Sequence, residues 1–337
     1  MKGNVRVAVI GLGRLGYWHA ENVAGRINSA ELVCVVDANP QRAEQVALEL
    51  GVGRWSGNPN EVLESTDIDA VVIATPTGTH AELIKKAAQC GKSIFVEKPV
   101  TLHLDEADDV ILTVAKYNVK CQVGFMRRFD PAYAAAKKRI AAGDIGRPIY
   151  FKALSRDPSS PPAEFIRSSG GIFLDMAIHD YDLARFLMNS EVDSVTAHGA
   201  VLVHSFMEEL HDSDQSLTYL RFASGAAGDV EASRNALYGY DIRSEVVGTE
   251  GTIQIGSLQH HDLRILTLKG STHDIIPSFP ERFKDAYQLE MKHFIDCILH
   301  GESPSVTAED GKAAQQIAEA ATQSFKTGVE AKLKDYR

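Results

Sequence analysis

Cysteine is scarce in this chain. There are four in 337 residues, Cys34, Cys90, Cys121 and Cys297, and none forms a C-x-x-C pair. That excludes a disulfide-framed scaffold and the usual zinc modules, and it suits buried thiols in a reducing compartment. A Lys/Arg-rich block is also missing. Lysine and arginine total 35 against 45 aspartates and glutamates, a formal net charge of −10, which argues against a nucleic-acid or anionic-membrane surface. No apolar run approaches the roughly 18 residues needed to span a bilayer, and Val5 to Ile10 is too short for a signal-peptide core. The expected protein is cytoplasmic, binds neither nucleic acid nor membrane, and holds no metal. His260-His261 and the segment Glu208-Glu209-Leu210-His211-Asp212-Ser213-Asp214 carry ligand-capable groups, but both sit in polar, loop-like sequence and read as solvated charge.

The residues present are those of an ordinary globular protein, 44% hydrophobic and 24% charged, with length enough for two domains. Val5-Arg6-Val7-Ala8-Val9-Ile10 reads as a buried strand and runs straight into Gly11-Leu12-Gly13-Arg14-Leu15-Gly16 and a helix. In such a turn the first glycine permits the bend, the second lets backbone approach a pyrophosphate, and the third lets helix pack on strand. Asp37 ends the next apolar run, 21 residues past Gly16, where an acid accepts hydrogen bonds from ribose hydroxyls and disfavours a 2′-phosphate. NAD is therefore expected over NADP, with Arg42 one turn on as a partial compensation that would let NADP in weakly.

The alternation continues through a helix opened by Asn39-Pro40, a strand at 70–74, and Thr75-Pro76-Thr77-Gly78. A helix follows whose start, Thr79-His80-Ala81-Glu82, matches a capping box. The strand 93–96 ends in Glu97-Lys98-Pro99, and a helix over 105–117 leads to a strand near 120–124. Strands alternating with helices imply a doubly wound parallel sheet, with ligands beyond the strands' carboxyl ends, where Gly11, Asp37, Thr75 and Lys98 lie. Lys98 there is either a solvated lysine or a positive charge for a reacting oxygen.

After Gly124 the pattern changes, giving expected domains 1–123 and 124–337. Strand candidates near 148–155, 192–203, 215–223, 226–234, 242–248, 251–255 and 263–268, most joined by short turns, imply a large open antiparallel sheet. Helices at 281–300 and 308–326 would cover part of it. The fold class is thus α/β plus α+β.

Between the first two of those strands, a helix is expected after the Ser168-Ser169-Gly170-Gly171 turn. Most of its length is apolar, but Asp175, His179 and Asp182 fall at i, i+4 and i+7 on one stripe. Residues i and i+4 sit about 5–6 Å apart at Cβ, so a carboxylate can orient an imidazole. Such a histidine is either a satisfied core group or a general base held by its acid partner.

Gly11-x-Gly13-x-x-Gly16, Glu97-Lys98-Pro99, and Gly170-Gly171 with Asp175-x-x-x-His179 resemble the Gfo/Idh/MocA family of nicotinamide-dependent sugar and polyol oxidoreductases, over essentially the whole chain. Gly124-Phe125-Met126-Arg127-Arg128-Phe129-Asp130, Ser155-Arg156-Asp157-Pro158 and Tyr238-Gly239-Tyr240-Asp241 are similar to its inositol-dehydrogenase branch. The resemblance implies that Lys98, Asp175 and His179 are catalytic, and that Arg127, Asp157 and Tyr238 join them in lining a polyol site. It implies cofactor contacts from Gly11, Gly13, Arg14, Leu15, Gly16, Asp37, Thr75, Pro76, His80, Glu97 and Lys98, and a homotetramer built through the second domain's sheet. The expected reaction is oxidation of myo-inositol to 2-keto-myo-inositol, with His179 as base. Scyllo-inositol, another cyclitol or a pyranose is the alternative substrate. An NAD-dependent glycosidase or a non-catalytic NAD sensor is the alternative class.

Overall fold

The computed structural model describes residues 3–336. The first apolar run forms β1 (Val5–Ile10) and turns into α1 (Arg14–Gly25). There follow β2 (Ala30–Val36), α2 (Pro40–Leu50), β3 (Trp55–Ser56), α3 (Asn60–Leu63), β4 (Ala70–Ile73), α4 (His80–Gln89), β5 (Ser93–Glu97), α5 (Leu104–Tyr117) and β6 (Cys121–Gly124). Every pairing is parallel, in the order β3-β2-β1-β4-β5-β6. This is the expected doubly wound sheet, its strand order reversing between β1 and β4. Continuous burial of Val7 to Ile10, Ala70 to Ile73 and Ile94 to Val96 is what a sheet covered on both faces demands.

Local chemistry sets the helix ends. Asn39 accepts from the Gln41 and Arg42 N–H groups with Pro40 in the first turn of α2. The expected capping box at Thr79 is not formed. The Thr79 hydroxyl instead pairs with Thr75 Oγ1 and donates to the Pro76 carbonyl, while His103 and Glu106 make a capping box on α5. Gly11 has φ +90°, and a Cβ on Gly16 would fall 1.8 Å from the Gly11 oxygen, so helix and strand approach as closely as bare backbone permits.

The second half holds α6 (Pro131–Ala141), β7 (Pro148–Arg156), α7 (Ala163–Ser169), α8 (Gly171–Asp175), α9 (Ile178–Met188), β8 (Val192–Ala200), α10 (Phe206–Glu209), β9 (Gln215–Phe222), β10 (Ala227–Ser233), β11 (Asp241–Gly248) and β12 (Thr252–Ile255). These are followed by β13 (Ile265–Thr267), β14 (Gly270–Thr272), α11 (Phe279–His300), α12 (Ala308–Thr327) and β15 (Ala331–Lys332). Seven strands form a sheet in the order β12-β11-β7-β10-β9-β8-β15. It is mixed rather than wholly antiparallel. β7 and β10 run parallel, from Tyr150 opposite Ala227 to Arg156 opposite Ser233, because the chain leaves β7 through helices and returns by the β9–β10 hairpin. The expected strand at 263–268 is β13, which pairs only with β14, apart from the main sheet. Along β9, Ser216, Thr218, Leu220 and Phe222 are buried, while Leu217, Tyr219 and Arg221 are exposed, the alternation of a sheet covered on one face.

The compact units do not follow a single cut at residue 124. One takes the chain through Met126 and then Asp285–Lys312; the other takes Arg127–Lys284 and the chain from Ala313. The reason lies in α11. Its Met291, Phe294 and Ile295 recur at helical spacing and complete the core made by Val7, Val9, Ala20, Val72 and Phe95, with Phe294 edge-on to Phe95 at 5.9 Å between ring centroids. Among the described residues no helix is long and apolar enough to cross a membrane. Phe294→Ala is expected to cost about 3–5 kcal/mol, read as a lower urea midpoint; a loss under about 1 kcal/mol would contradict its place in that core.

Candidate active site

The first unit gathers the expected nucleotide contacts at the carboxyl ends of β1, β2, β4 and β5. Gly13 is the N-cap of α1, offers no side-chain cap, and no acid stands in the first helical turn. A Cβ on Gly13 would meet nothing within 4 Å. Open space over uncapped N–H groups at a helix N-terminus fits a pyrophosphate. Arg14 is exposed and Leu15 half-buried beside it. Asp37 is half-buried; its Oδ2 accepts the Leu12 N–H at 2.8 Å and its Oδ1 the Asn39 N–H at 2.8 Å. Arg42 Nε donates to the Leu12 carbonyl at 3.1 Å, and its guanidinium lies over the Tyr17 ring. Acid and arginine therefore converge on the same turn residue.

Thr75 and Pro76 follow β4 at its open end. His80 does not share their exposure. It is buried, with Nδ1 2.9 Å from the Pro99 carbonyl and Nε2 2.9 Å from the Thr75 carbonyl. Burial lowers its pKa, and the two carbonyls pull the other way. Its ring ties together the segments leaving β4 and β5, and both nitrogens are committed to that. Glu97 is likewise buried, with His19 Nε2 at 2.6 Å. Lys98, the next residue, is half-buried, its N–H 3.3 Å from Glu97 Oε2, and the Lys98–Pro99 peptide is cis.

In the second unit the expected single helix over Asp175 and His179 is broken. α8 ends at Asp175, Met176 has φ −102° and ψ −57°, and the N–H groups of both Met176 and Ala177 turn back to the Ile172 carbonyl. The wide i to i−5 closure at Ala177 ends one helix, and α9 restarts with His179 in its first turn. Asp175 and His179 are thus not i, i+4 partners on one continuous helix. Asp175 forms an ion pair with Arg234, whose Nη2 lies 3.1 Å from Asp175 Oδ2 and whose Nη1 lies 4.0 Å from Asp157 Oδ2. Arg234 is only 1% exposed. His179 is half-buried, and its neighbour Asp180 is buried against Arg127 Nη1 at 2.7 Å and Ser155 Oγ at 2.6 Å. Burial opposes the Arg127 charge, but Asp180, Tyr240 and Tyr133 together outweigh it and raise the guanidinium pKa. Burial also pushes the Asp180 carboxyl up, against Arg127 and Ser155; with two donors this close, the ionised carboxylate is the form the geometry holds. Asp182, expected on the polar stripe with His179, instead takes Arg128 in a forked pair.

Arg127 is buried and through Nη1 anchors the start of α9. Asp157 is half-buried. Tyr238 is exposed; its hydroxyl donates to Asp241 at 2.9 Å and accepts from Arg156 at 3.1 Å. The segment around Asp212 and Asp214 is not solvated charge. Asp212 Oδ1 accepts the Ile172 N–H at 3.0 Å, just past Gly170 and Gly171, both left-handed. Asp214 accepts from the N–H groups of Leu202, Val203 and His204. Burial works against the Asp214 charge, but those donors outweigh it and hold its pKa low. Arg234 was missed from sequence, although a signal exists. Gly228, Val230 and Ala232 are buried at alternate positions of β10, and Arg234 continues that parity.

A glycine turn opening a helix, an acid after the second strand, a lysine at the sheet's carboxyl edge, and an aspartate and a histidine on either side of a helix break in a second, sheet-based unit define a nicotinamide-dependent oxidoreductase. Residues 5–125 match the Gfo/Idh/MocA oxidoreductase family's NAD-binding Rossmann fold, and residues 137–333 match that family's C-terminal alpha/beta domain. The chain belongs to the Gfo/Idh/MocA family, and its cofactor is NAD. It is 56% identical over 333 residues to scyllo-inositol 2-dehydrogenase (NAD(+)) of Bacillus subtilis, covering 99% of this chain and 97% of that one. It is 40% identical over 332 residues to myo-inositol 2-dehydrogenase of Thermotoga maritima, covering 98% and 99%. Among solved structures, scyllo-inositol dehydrogenase of Lactobacillus casei with NAD(H) and scyllo-inositol superposes with TM-score 0.94 at 31% identity, covering 98% and 99%.

Asp37→Ala removes both the expected ribose acid and a tie to the glycine turn. NAD+ binding is expected to weaken about tenfold or more and the NAD+/NADP+ preference to narrow, measured by titrating each cofactor. An unchanged preference ratio would sink the ribose role. Arg234→Met, close in volume, leaves two carboxylates without their cation; kcat/KM is expected to fall on the order of 10²-fold, followed as NADH formation at 340 nm.

Proposed function

We propose that this chain oxidises scyllo-inositol at one ring carbon to the inosose, with NAD+ as hydride acceptor. The chain is an NAD-dependent dehydrogenase acting on a CH–OH group of an inositol, and the isomer is what the proposal adds. Its main support is the 56% identity, across nearly all of both chains, to a relative named for scyllo-inositol. The relative named for myo-inositol stands at 40%. That support favours scyllo-inositol, the alternative expected from sequence, over myo-inositol.

The two substrates differ only in the orientation of one hydroxyl, and oxidation at that carbon gives the same ketone, 2-keto-myo-inositol. Groups that hold the other five hydroxyls serve either isomer. The choice therefore rests on which face of the ring loses its hydrogen.

His179 takes the hydroxyl proton. An imidazole with an ordinary pKa near 6.5 needs little tuning to do this at neutral pH. Asp175, the proposed acid partner, shares its charge with Arg234, and that pair holds the carboxylate in place beside the helix break. Lys98 favours negative charge on the reacting oxygen. Bound NAD+ supplies the hydride acceptor, while the chain's residues provide orientation and proton management. Asp157 and Tyr238, which keep exposed surface, are the proposed hydroxyl partners. Arg127 acts through Asp180 and Ser155 to hold α9. A homotetramer through the open sheet face is also proposed, supported by Leu217 and Tyr219 exposed there.

His179→Ala is expected to lower turnover by roughly 10² to 10⁴, and persistence within a few-fold would remove it as the base. The substrate is tested in reverse. 2-keto-myo-inositol is reduced with NADH and the product identified by proton NMR; scyllo-inositol is expected, and myo-inositol as the main product would restore the other order.

A further inference from the structure

One buried cluster in the first unit adds to Glu97 two residues, His19 and Glu290, with no part in the chemistry above. His19 on α1, Glu97 at the end of β5 and Glu290 on α11 each bring a ring nitrogen or carboxylate oxygen within 4.8 Å of the others. Glu290 has no exposed surface, and neither of its oxygens has a hydrogen-bond partner among the described residues. From β6, Gln122 Nε2 donates to the Glu290 backbone carbonyl at 2.9 Å. Across from Glu97 on the neighbouring strand stands Gly124, where a Cβ would lie 3.0 Å from Glu97 Oε2. The cluster is packed in on every side.

A metal ion does not account for it. Two ligands of one tetrahedral ion bound at 2.0–2.1 Å sit about 3.3 Å apart, whereas His19 Nε2 and Glu97 Oε1 touch at 2.6 Å. That is the length of a charge-assisted hydrogen bond. Two carboxylates within 4.8 Å of each other and away from water repel, and a proton on one of them removes that cost. The titratable groups facing Glu290 are His19 from α1 and Glu97 from β5. Tyr287, a turn earlier on α11, lies with its ring 6.0 Å from that of His19. The Nε2 of His19 is committed to Glu97 Oε1.

We propose that Glu97 and Glu290 hold a single proton between them, and that this pair, pinned by His19, positions Lys98. Glu97 is the link, because its Oε2 faces the Lys98 N–H at 3.3 Å while its Oε1 is fixed on His19. The carboxylate that ends β5 thus sets where the lysine begins. Burial first, and the Glu97 charge second, push the Glu290 carboxyl well above its ordinary range, in keeping with a neutral acid at working pH. The positioning half rests on Lys98 taking part in the reaction; the shared proton does not.

Thermal unfolding between pH 5 and 9 tests the proton. A Glu290 neutral when folded ionises on unfolding above about pH 4.3, so its burial costs stability that grows as pH rises toward the folded value. Glu290→Gln carries no such cost. It should melt with the wild type near pH 5 and a few degrees above it at pH 9. An equal or lower melting point at pH 9 would overturn the shared proton. Kinetics test the positioning. Glu290→Ala should lower kcat on the order of 10-fold, with KM for NAD+ within about two-fold, and Glu290→Gln should restore most of the loss. Equal losses in both variants, or none in either, would refute the positioning role. A wild-type protein silent on every inositol would instead sink the functional proposal and leave the melting comparison readable.

Discussion

A guanidinium sealed from solvent has to be matched by carboxylates, and in the second unit that requirement falls on Arg234. It follows β10, Asp175 ends α8, and Asp157 follows β7, so one cation draws together three segments far apart in sequence. Breaking such a pair leaves a charge stranded in the interior, at a cost of about 3–5 kcal/mol. The helix break between Asp175 and His179 makes sense in that light. A straight helix would carry Asp175 on the same stripe as His179, whereas the break leaves the carboxylate facing the arginine. Directly after His179, Asp180 is fixed by Arg127 and Ser155. The histidine is thus set between two anchored acids, and its placement derives from charge neutralisation on either side.

Much of the first unit was legible because its signals are local. The glycine turn, Asp37 and the uninterrupted apolar strands each announce themselves within a few residues. The misses were of another kind. Nothing near Ala177 in sequence says that its N–H will reach back five residues, and the parallel pairing of β7 with β10 depends on a partner nearly eighty residues on. Asp212 and Asp214 read as solvated because the segment is polar, yet each is buried on backbone N–H groups of another segment. Two residues could have been found. Arg234 keeps the inward parity of its strand, and Glu290 lies on the apolar stripe of Tyr287, Met291 and Phe294. A charged residue on an otherwise apolar stripe is a signal that periodicity alone reveals.

Residues at the nucleotide end carry double duty. Asp37 uses both oxygens on backbone near the turn, Arg42 bonds to that turn's Leu12, and His80 closes one strand end against another. Cofactor preference is therefore not a separate feature laid over a finished scaffold. A substitution at Asp37 chosen to admit a 2′-phosphate also loosens the glycine turn it is bonded to, and recovering affinity would take compensating changes in the turn itself.

The nucleotide unit is split in the chain, since Asp285–Lys312 returns to complete a core begun at β1. On a ribosome this means waiting. After β6 is made, Arg127–Lys284 must be synthesised before Met291 and Phe294 exist, about ten to thirty seconds at ordinary rates. During that interval the face of the sheet around Val72 and Phe95 lacks its cover. The nascent protein therefore carries an exposed apolar surface for the length of an entire second unit, and its yield in the cell depends on how well that surface is shielded until the last helices emerge.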